Sequence, residues 1–292
     1  MDISLALGGG GSRGHAHIGV LRRLEQEGFR ILAVAGTSAG GIVATAYAAG
    51  YTPDELESIF AELDQAKLFA PIPSEGPGLL GLSRAAKVLG NLYGNRTFED
   101  LRIPCAVVAV DITTGHEVVL NQGPIIDAVL GTISVPGVFP PRQYGDAQLV
   151  DGGIMDPVPV SVARLLAPKL PVVAVVLTPL SEQPGNFSRL PISVPVPTQI
   201  VERLTRTRIA QTLNIFLSSV DIGGRMITEL RLQVDAPEVV VRPDVNGIGL
   251  LDRVDVHRVV KLGERAVDAV LDELKRSVSW SQRFRRNFFP GK

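Results

Sequence analysis

The stretch Val34-Ala35-Gly36-Thr37-Ser38-Ala39-Gly40-Gly41 decides how the chain is read. Before it, the apolar run Phe29 to Ala35 has the length and composition of a short buried strand. After it, small residues continue to Gly50 as a helix would. A strand that passes through Gly-x-Ser-x-Gly into a helix is the setting of a nucleophile elbow. The turn is so tight that side chains beside the serine would clash, and Gly36 and Gly40 remove them. The Ser38 hydroxyl would then stand at the tip, at the positive end of the following helix, which favours an alkoxide or oxyanion. Taken alone, the pentapeptide equally fits a strand-helix turn whose serine only caps the helix.

Towards the N-terminus, Ile3 to Leu7 reads as a strand, followed by Gly8-Gly9-Gly10-Gly11-Ser12-Arg13-Gly14. A helix comes next, with His17, Val20, Leu21 and Leu24 on one stripe. Gly9-x-Gly11-x-x-Gly14 has the form of the dinucleotide fingerprint, but the acid that should close the second strand is missing. The other use of such a loop is an anion cradle, its backbone N–H groups turned to one point and assisted by the helix dipole. If the first two strands are parallel neighbours, both glycine loops leave the sheet at the same edge, where α/β proteins place their sites. Beside a nucleophilic serine, the cradle is an oxyanion hole.

Downstream, Thr52-Pro53-Asp54-Glu55 opens a helix with a capping box and a first-turn proline. Residues 69–95 mix Pro71, Pro73, Gly76 and Pro77 with Leu79, Leu80 and Leu82, with a short helix at Ser83 to Tyr93. This segment reads either as a packed loop or as a lid over an acyl pocket. Further strands are expected at Ile103 to Val110, Glu117 to Leu120, Gln148 to Val150, Pro171 to Leu177 and Glu238 to Arg242. Helices are expected at Ile125 to Ile133, Thr198 to Val220 and Val256 to Arg276, with Pro179 to Pro197 a loop. Asp151-Gly152-Gly153 puts an acid at a strand end between permissive residues, although Asp-Gly-Gly is also ordinary turn chemistry. Arg203, Arg206 and Arg208 fit a solvated helix face.

Composition narrows the function classes. A net charge of −1 excludes a globally basic nucleic-acid binder, and the one cysteine, Cys105, excludes a disulfide within the chain. No metal or cofactor site is expected, since four histidines show no ligand spacing and the acids are scattered. Met1-Asp2-Ile3 lacks the basic start of a signal peptide, and no run of 18 apolar residues is present, so a cytoplasmic protein is expected. From Lys275 onwards no acid occurs, while Arg276, Arg283, Arg285, Arg286 and Lys292 interleave with Trp280, Phe284, Phe288 and Phe289. Such a tail suits either an anionic membrane surface, peripherally, or packing on its own domain or on a second subunit.

Together, Gly8 to Gly14, Gly36-Thr37-Ser38-Ala39-Gly40, Ser134-Val135-Pro136-Gly137-Val138-Phe139-Pro140-Pro141 and Asp151-Gly152-Gly153 resemble the patatin-like phospholipase family in its compact bacterial form. The resemblance implies a three-layer α/β/α fold around a mostly parallel sheet. It divides the chain into an acyl-hydrolase domain, 1–276, and a basic-aromatic tail, 277–292. It makes Ser38 the nucleophile and Asp151 its base, with the N–H groups of Gly9, Gly10 and Gly11 as oxyanion hole and Arg13 as their charged neighbour. Gly36, Thr37, Ala39 and Gly40 would form the elbow, and Gly152 and Gly153 would hold the acid. Gly131-Thr132 departs from the Ala-Ser-like pair expected there, a question of local packing.

The implied reaction is hydrolysis of a phospholipid, lysophospholipid or other acyl ester through an acyl-serine. An unperturbed carboxylate, with a pKa of about 4, is a weak base, so the oxyanion donors should carry much of the rate, at roughly 2.7–4 kcal/mol each. A Ser-His-Asp triad would require His257, which alone follows Asp151 but lies in a helical stretch, while His15 and His17 read as packing and His116 as a hairpin residue. Acyl transfer from a thioester donor and lipid binding without turnover are the rival readings.

Overall fold

The computed structural model describes residues 1–63, 78, 80–178 and 208–279, with the side chains of 208–218 excepted. The lid segment at 71–77 and 79, the loop 179–197, the helix start at 198–207 with Arg203 and Arg206, and the tail from 280 lie outside the described residues.

The described chain begins β1 (Asp2–Leu7), α1 (Ala16–Gln26), β2 (Arg30–Thr37), α2 (Ala39–Ala48), α3 (Pro53–Glu62) and α4 (Ser83–Tyr93). It continues with β3 (Cys105–Asp111), β4 (His116–Leu120), α5 (Ile125–Thr132), β5 (Arg142–Tyr144) and β6 (Ala147–Asp151). The last elements are α6 (Val160–Leu166), β7 (Val172–Val175), α7 (Arg208–Asp235), β8 (Val239–Val241), α8 (Val256–Ala269) and α9 (Leu271–Ser277). All eight strands join one sheet in the order β5-β6-β3-β2-β1-β7-β8, with β4 also on β3. β3, β2, β1, β7 and β8 run parallel, and β4, β6 and β5 add antiparallel ladders at one side.

The parallel strands are largely apolar because helices cover both faces. On one face, Ile3, Leu5 and Leu7 pack with Ile18 and Leu21 of α1, Val43 of α2 and Val260 and Val267 of α8. On the other, Ala6, Ala35 and Ala106 meet Val162 and Ala163 of α6, with Leu232 of α7 alongside. The alternation along β1, large to one side and small to the other, separates the two layers. The fold is the expected three-layer α/β/α arrangement.

Two helix boundaries differ from the sequence reading. α7 runs on from Val220 to Asp235 through Gly223 and Gly224. The glycines weaken a helix, but the Asp221–Arg225 ion pair at 2.7 Å and Thr228 Oγ1, which donates to Gly224 O at 2.7 Å, span them. The long C-terminal helix is interrupted at Val270 (φ −118°, ψ 15°), where α8 gives way to α9. α6 lies between the Asp151-Gly152-Gly153 turn and the Pro171 strand, a stretch to which the sequence reading assigns no element.

Pairing along β3 places the site. β4 occupies one flank of β3 from Val107 to Asp111, so β2 and β6 share the other. β2 runs parallel and ends with Thr37 opposite Val108. β6 arrives antiparallel and ends with Asp151 opposite Ala109. Two strands therefore meet head to head, and the residues at their tips are Ser38 and Asp151.

Candidate active site

Ser38 sits between β2 and α2 with φ 54° and ψ −124°, a left-handed conformation that a side-chain-bearing residue rarely holds. The packing around it leaves no alternative. A Cβ on Gly36 would lie 2.4 Å from Gly40 O, and one on Gly40 would lie 2.1 Å from Leu7 O. The Ser38 N–H is donated to Thr132 Oγ1 at 2.8 Å, and that hydroxyl donates to Val108 O at 2.5 Å. Thr37 Oγ1 donates to Asp156 O at 2.8 Å, fixing the residue before the serine. Gly131-Thr132 therefore does more than fill space: the threonine hydroxyl anchors the elbow, and Gly131 admits the Leu149 side chain.

Ser38 Oγ donates to Asp151 Oδ2 at 2.5 Å, while the other carboxylate oxygen accepts the Gly153 N–H at 2.8 Å. Both residues are nearly closed off from solvent, 9% and 5% exposed. Burial pushes the Asp151 carboxyl up to about 6, against the pull of the bonds from Ser38 and Gly153. Removal from water thus outweighs two hydrogen bonds, and the group titrates close to neutrality.

The glycine loop divides into anchored and free amides. Gly8 N–H goes to Val175 O at 3.0 Å and Gly9 N–H to Pro157 O at 2.9 Å. Gly9 therefore has no N–H to offer an oxyanion, contrary to the expectation for it, because its amide continues the pairing of the strand end. Its value is space: a Cβ there would stand 3.3 Å from Ser38 Cβ. The N–H groups of Gly10 and Gly11 have no hydrogen-bond partner among the described residues. Ala39 adds the first of the unsatisfied donors at the α2 N-terminus, next to the serine.

Arg13 is buried, and its Nε donates to Ile248 O at 2.6 Å. Arg13, expected as the charged neighbour of the oxyanion hole, ties the loop to the 245–252 segment. His17 is also more than packing: wholly buried, its Nε2–H meets Gly8 O at 2.7 Å. Burial lowers its pKa to about 4, so the ring is neutral and donates through Nε2. The Gly8–Gly9 peptide is consequently held on both sides, its carbonyl by His17 and its N–H by Pro157. His257 Nδ1 lies 2.5 Å from Glu57 Oε1 on α3, engaged away from the dyad. Among the described residues no group of histidines, cysteines and acids could hold a metal, and no helix is long and apolar enough to cross a membrane.

The geometry brings together a nucleophile-type hydroxyl, a carboxylate with a raised pKa and free backbone donors. The sequence profile described as patatin-like phospholipase matches residues 5–164, which include both Ser38 and Asp151. An uncharacterized NTE family protein of Mycobacterium tuberculosis is 37% identical over 163 residues, covering 54% of this chain and 44% of the relative. A second from the same organism is 28% identical over 275 residues, covering 92% of this chain and 46% of the relative. The chain thus spans less than half the length of these curated relatives. Among solved structures, VipD from Legionella pneumophila has a TM-score of 0.52 at 15% identity, over 93% of this chain and 66% of that one, a likeness of fold. The profile covers more than half of the chain, elbow and acid loop included, and the chain belongs to the patatin-like phospholipase family.

Proposed function

We propose that the protein hydrolyses lipid acyl esters through a Ser38–Asp151 dyad and an acyl-serine intermediate. The observation that carries this reading is the 2.5 Å approach of Ser38 Oγ to Asp151 Oδ2 at the head-on junction of β2 and β6. Ser38 Oγ attacks the ester carbonyl carbon while Asp151 accepts the hydroxyl proton. The carbonyl oxygen becomes an oxyanion, held by the N–H groups of Gly10 and Gly11 with that of Ala39. Collapse breaks the bond to the alcohol, which leaves with the proton from Asp151. A water then attacks the acyl carbon, gives its proton to Asp151, and releases the fatty acid as Ser38 regains a hydrogen.

The carboxyl pushed up to about 6 suits this role better than an ordinary aspartate, since a general base works best with a pKa near the operating pH. The donors are preorganised: His17 and Pro157 hold the Gly8–Gly9 peptide that leads into Gly10 and Gly11, and Ala39 opens α2, so little reorganisation is needed at the transition state. A chromogenic short-chain ester assay tests the reading. Wild type should hydrolyse the ester, and Ser38→Ala and Asp151→Asn should each lose all but a trace. Turnover retained by a folded Ser38→Ala variant would sink it, and transfer of the acyl group only from a thioester would favour an acyltransferase.

A further inference from the structure

The seven residues from Asp151 to Pro157 touch every part of the site. Asp151 meets Ser38, the Asp156 carbonyl accepts Thr37 Oγ1, and the Pro157 carbonyl accepts the Gly9 N–H. Within the loop, Met155 N–H and Asp156 N–H both return to Gly152 O, at 3.0 and 2.8 Å. The loop therefore fixes base, elbow and oxyanion loop relative to one another. What fixes the loop is less local.

The Asp156 side chain is wholly buried. Its counter-ion is Arg231, near the end of α7 and beyond the family match at 5–164. Arg231 Nη2 lies 2.8 Å from Asp156 Oδ2, out of line for a hydrogen bond, and Nε donates to Asp156 Oδ1 at 3.4 Å. The same guanidinium donates to Glu117 of β4 at 3.0 Å and stands 3.6 Å from Asp235. One cation thus ties the Asp156 loop to β4, the partner of β3, and to α7. A buried carboxylate left without its cation moves towards water or takes up a proton, and either response displaces the backbone that carries it.

We infer that Arg231 is a positioning residue for the hydrolysis, acting through its ion pair with Asp156 to keep the Asp151–Pro157 loop where base, elbow and glycine loop coincide. The inference rests on the Ser38–Asp151 reading of function. It gives α7 a part in the reaction although none of its residues need touch the ester.

Steady-state hydrolysis of a short-chain chromogenic ester by the full chain tests it, with thermal midpoints for each variant and the rate of Ser38 labelling by a fluorophosphonate. Arg231→Met should lower kcat and the labelling rate about 10- to 100-fold, the scale of a small misplacement of reacting groups, with KM changed less than about twofold. Arg231→Lys, which keeps the charge, should recover part of both rates. Arg242→Met, which breaks a surface pair with Glu229 on the same helix, should leave both unchanged. Should Arg231→Met fail to fold, Arg231→Met/Asp156→Asn removes the uncompensated charge and should regain the thermal midpoint but not kcat. Wild-type kcat in folded Arg231→Met, or recovery of kcat together with the midpoint in the double variant, would overturn the inference alone. Wild type that neither hydrolyses nor labels would overturn the reading of function, and the inference with it.

Discussion

The backbone N–H of Ser38 is held by the Thr132 hydroxyl at 2.8 Å, and that hydroxyl is held in turn by Val108 O on β3. The last residue of α5 therefore pins the elbow to the strand that both β2 and β6 flank. Thr132→Val keeps the shape but leaves a buried N–H and a buried carbonyl without partners, a loss of about 1–3 kcal/mol for each such group. We expect a lower thermal midpoint and a kcat reduced about tenfold or more, with Thr132→Ser close to wild type. Equal kinetics for Val and Ser at this position would remove the hydroxyl from the account.

In the proposed mechanism Asp151 must be ionised to accept the serine proton, and burial pushes its carboxyl up to about 6. The rate constant kcat/KM should accordingly fall as pH drops through about 6, not through the range of an ordinary aspartate. A pH profile flat down to pH 4.5 would contradict the assignment.

The same shift sets a stability trend with the opposite sign to the usual acid effect. A carboxyl whose folded pKa rises from 3.8 to about 6 binds its proton more tightly in the native state. Its contribution to stability is complete below pH 3.8 and is lost as pH rises through 6, an effect on the order of 3 kcal/mol. Asp151→Asn should therefore stabilise the protein relative to wild type at pH 8 while abolishing hydrolysis, with the gain shrinking towards pH 4. Urea unfolding of both proteins at the two pH values measures the difference.

His17 behaves in reverse. Its pKa falls from 6.5 to about 4, so its contribution is full above pH 6.5 and is lost as pH falls towards 4. His17→Phe should flatten that acid-side decline. At pH 8 it should also slow hydrolysis, because the Gly8 carbonyl loses its donor and the glycine loop loosens. Unaltered kcat in a folded His17→Phe protein would reduce the histidine to packing.

Ser38 holds φ 54° at a cost on the order of 1–3 kcal/mol. Ser38→Gly should raise the thermal midpoint above that of Ser38→Ala, with neither variant hydrolysing ester. Identical midpoints would mean that the backbone there is unstrained.

The core strands were legible because a strand buried on both faces is an apolar run, and Ile3 to Leu7, Phe29 to Ala35 and Pro171 to Leu177 are such runs. The capping box at Thr52 and Glu55 was equally plain, since all its atoms lie within one turn. Residues that work through backbone atoms of distant segments left no such trace. Thr132 looked like a deviation in packing, His17 like one more member of an apolar stripe, and Arg231 lay beyond the expected helix end at Val220, in a stretch given no element. Gly9 was named as an oxyanion donor although its N–H is taken by Pro157, because a string of glycines does not reveal which amides the fold consumes.

By itself, the sequence determined the periodicity of the elements, the glycine-flanked serine and the acid at a strand end, all properties of residues close along the chain. Only the tertiary structure decided that β2 and β6 share one flank of β3 and stop against each other between Val108 and Ala109. That choice depends on which edge of a strand remains open once β4 has taken the other. It joins a hydroxyl and a carboxylate that lie 113 positions apart.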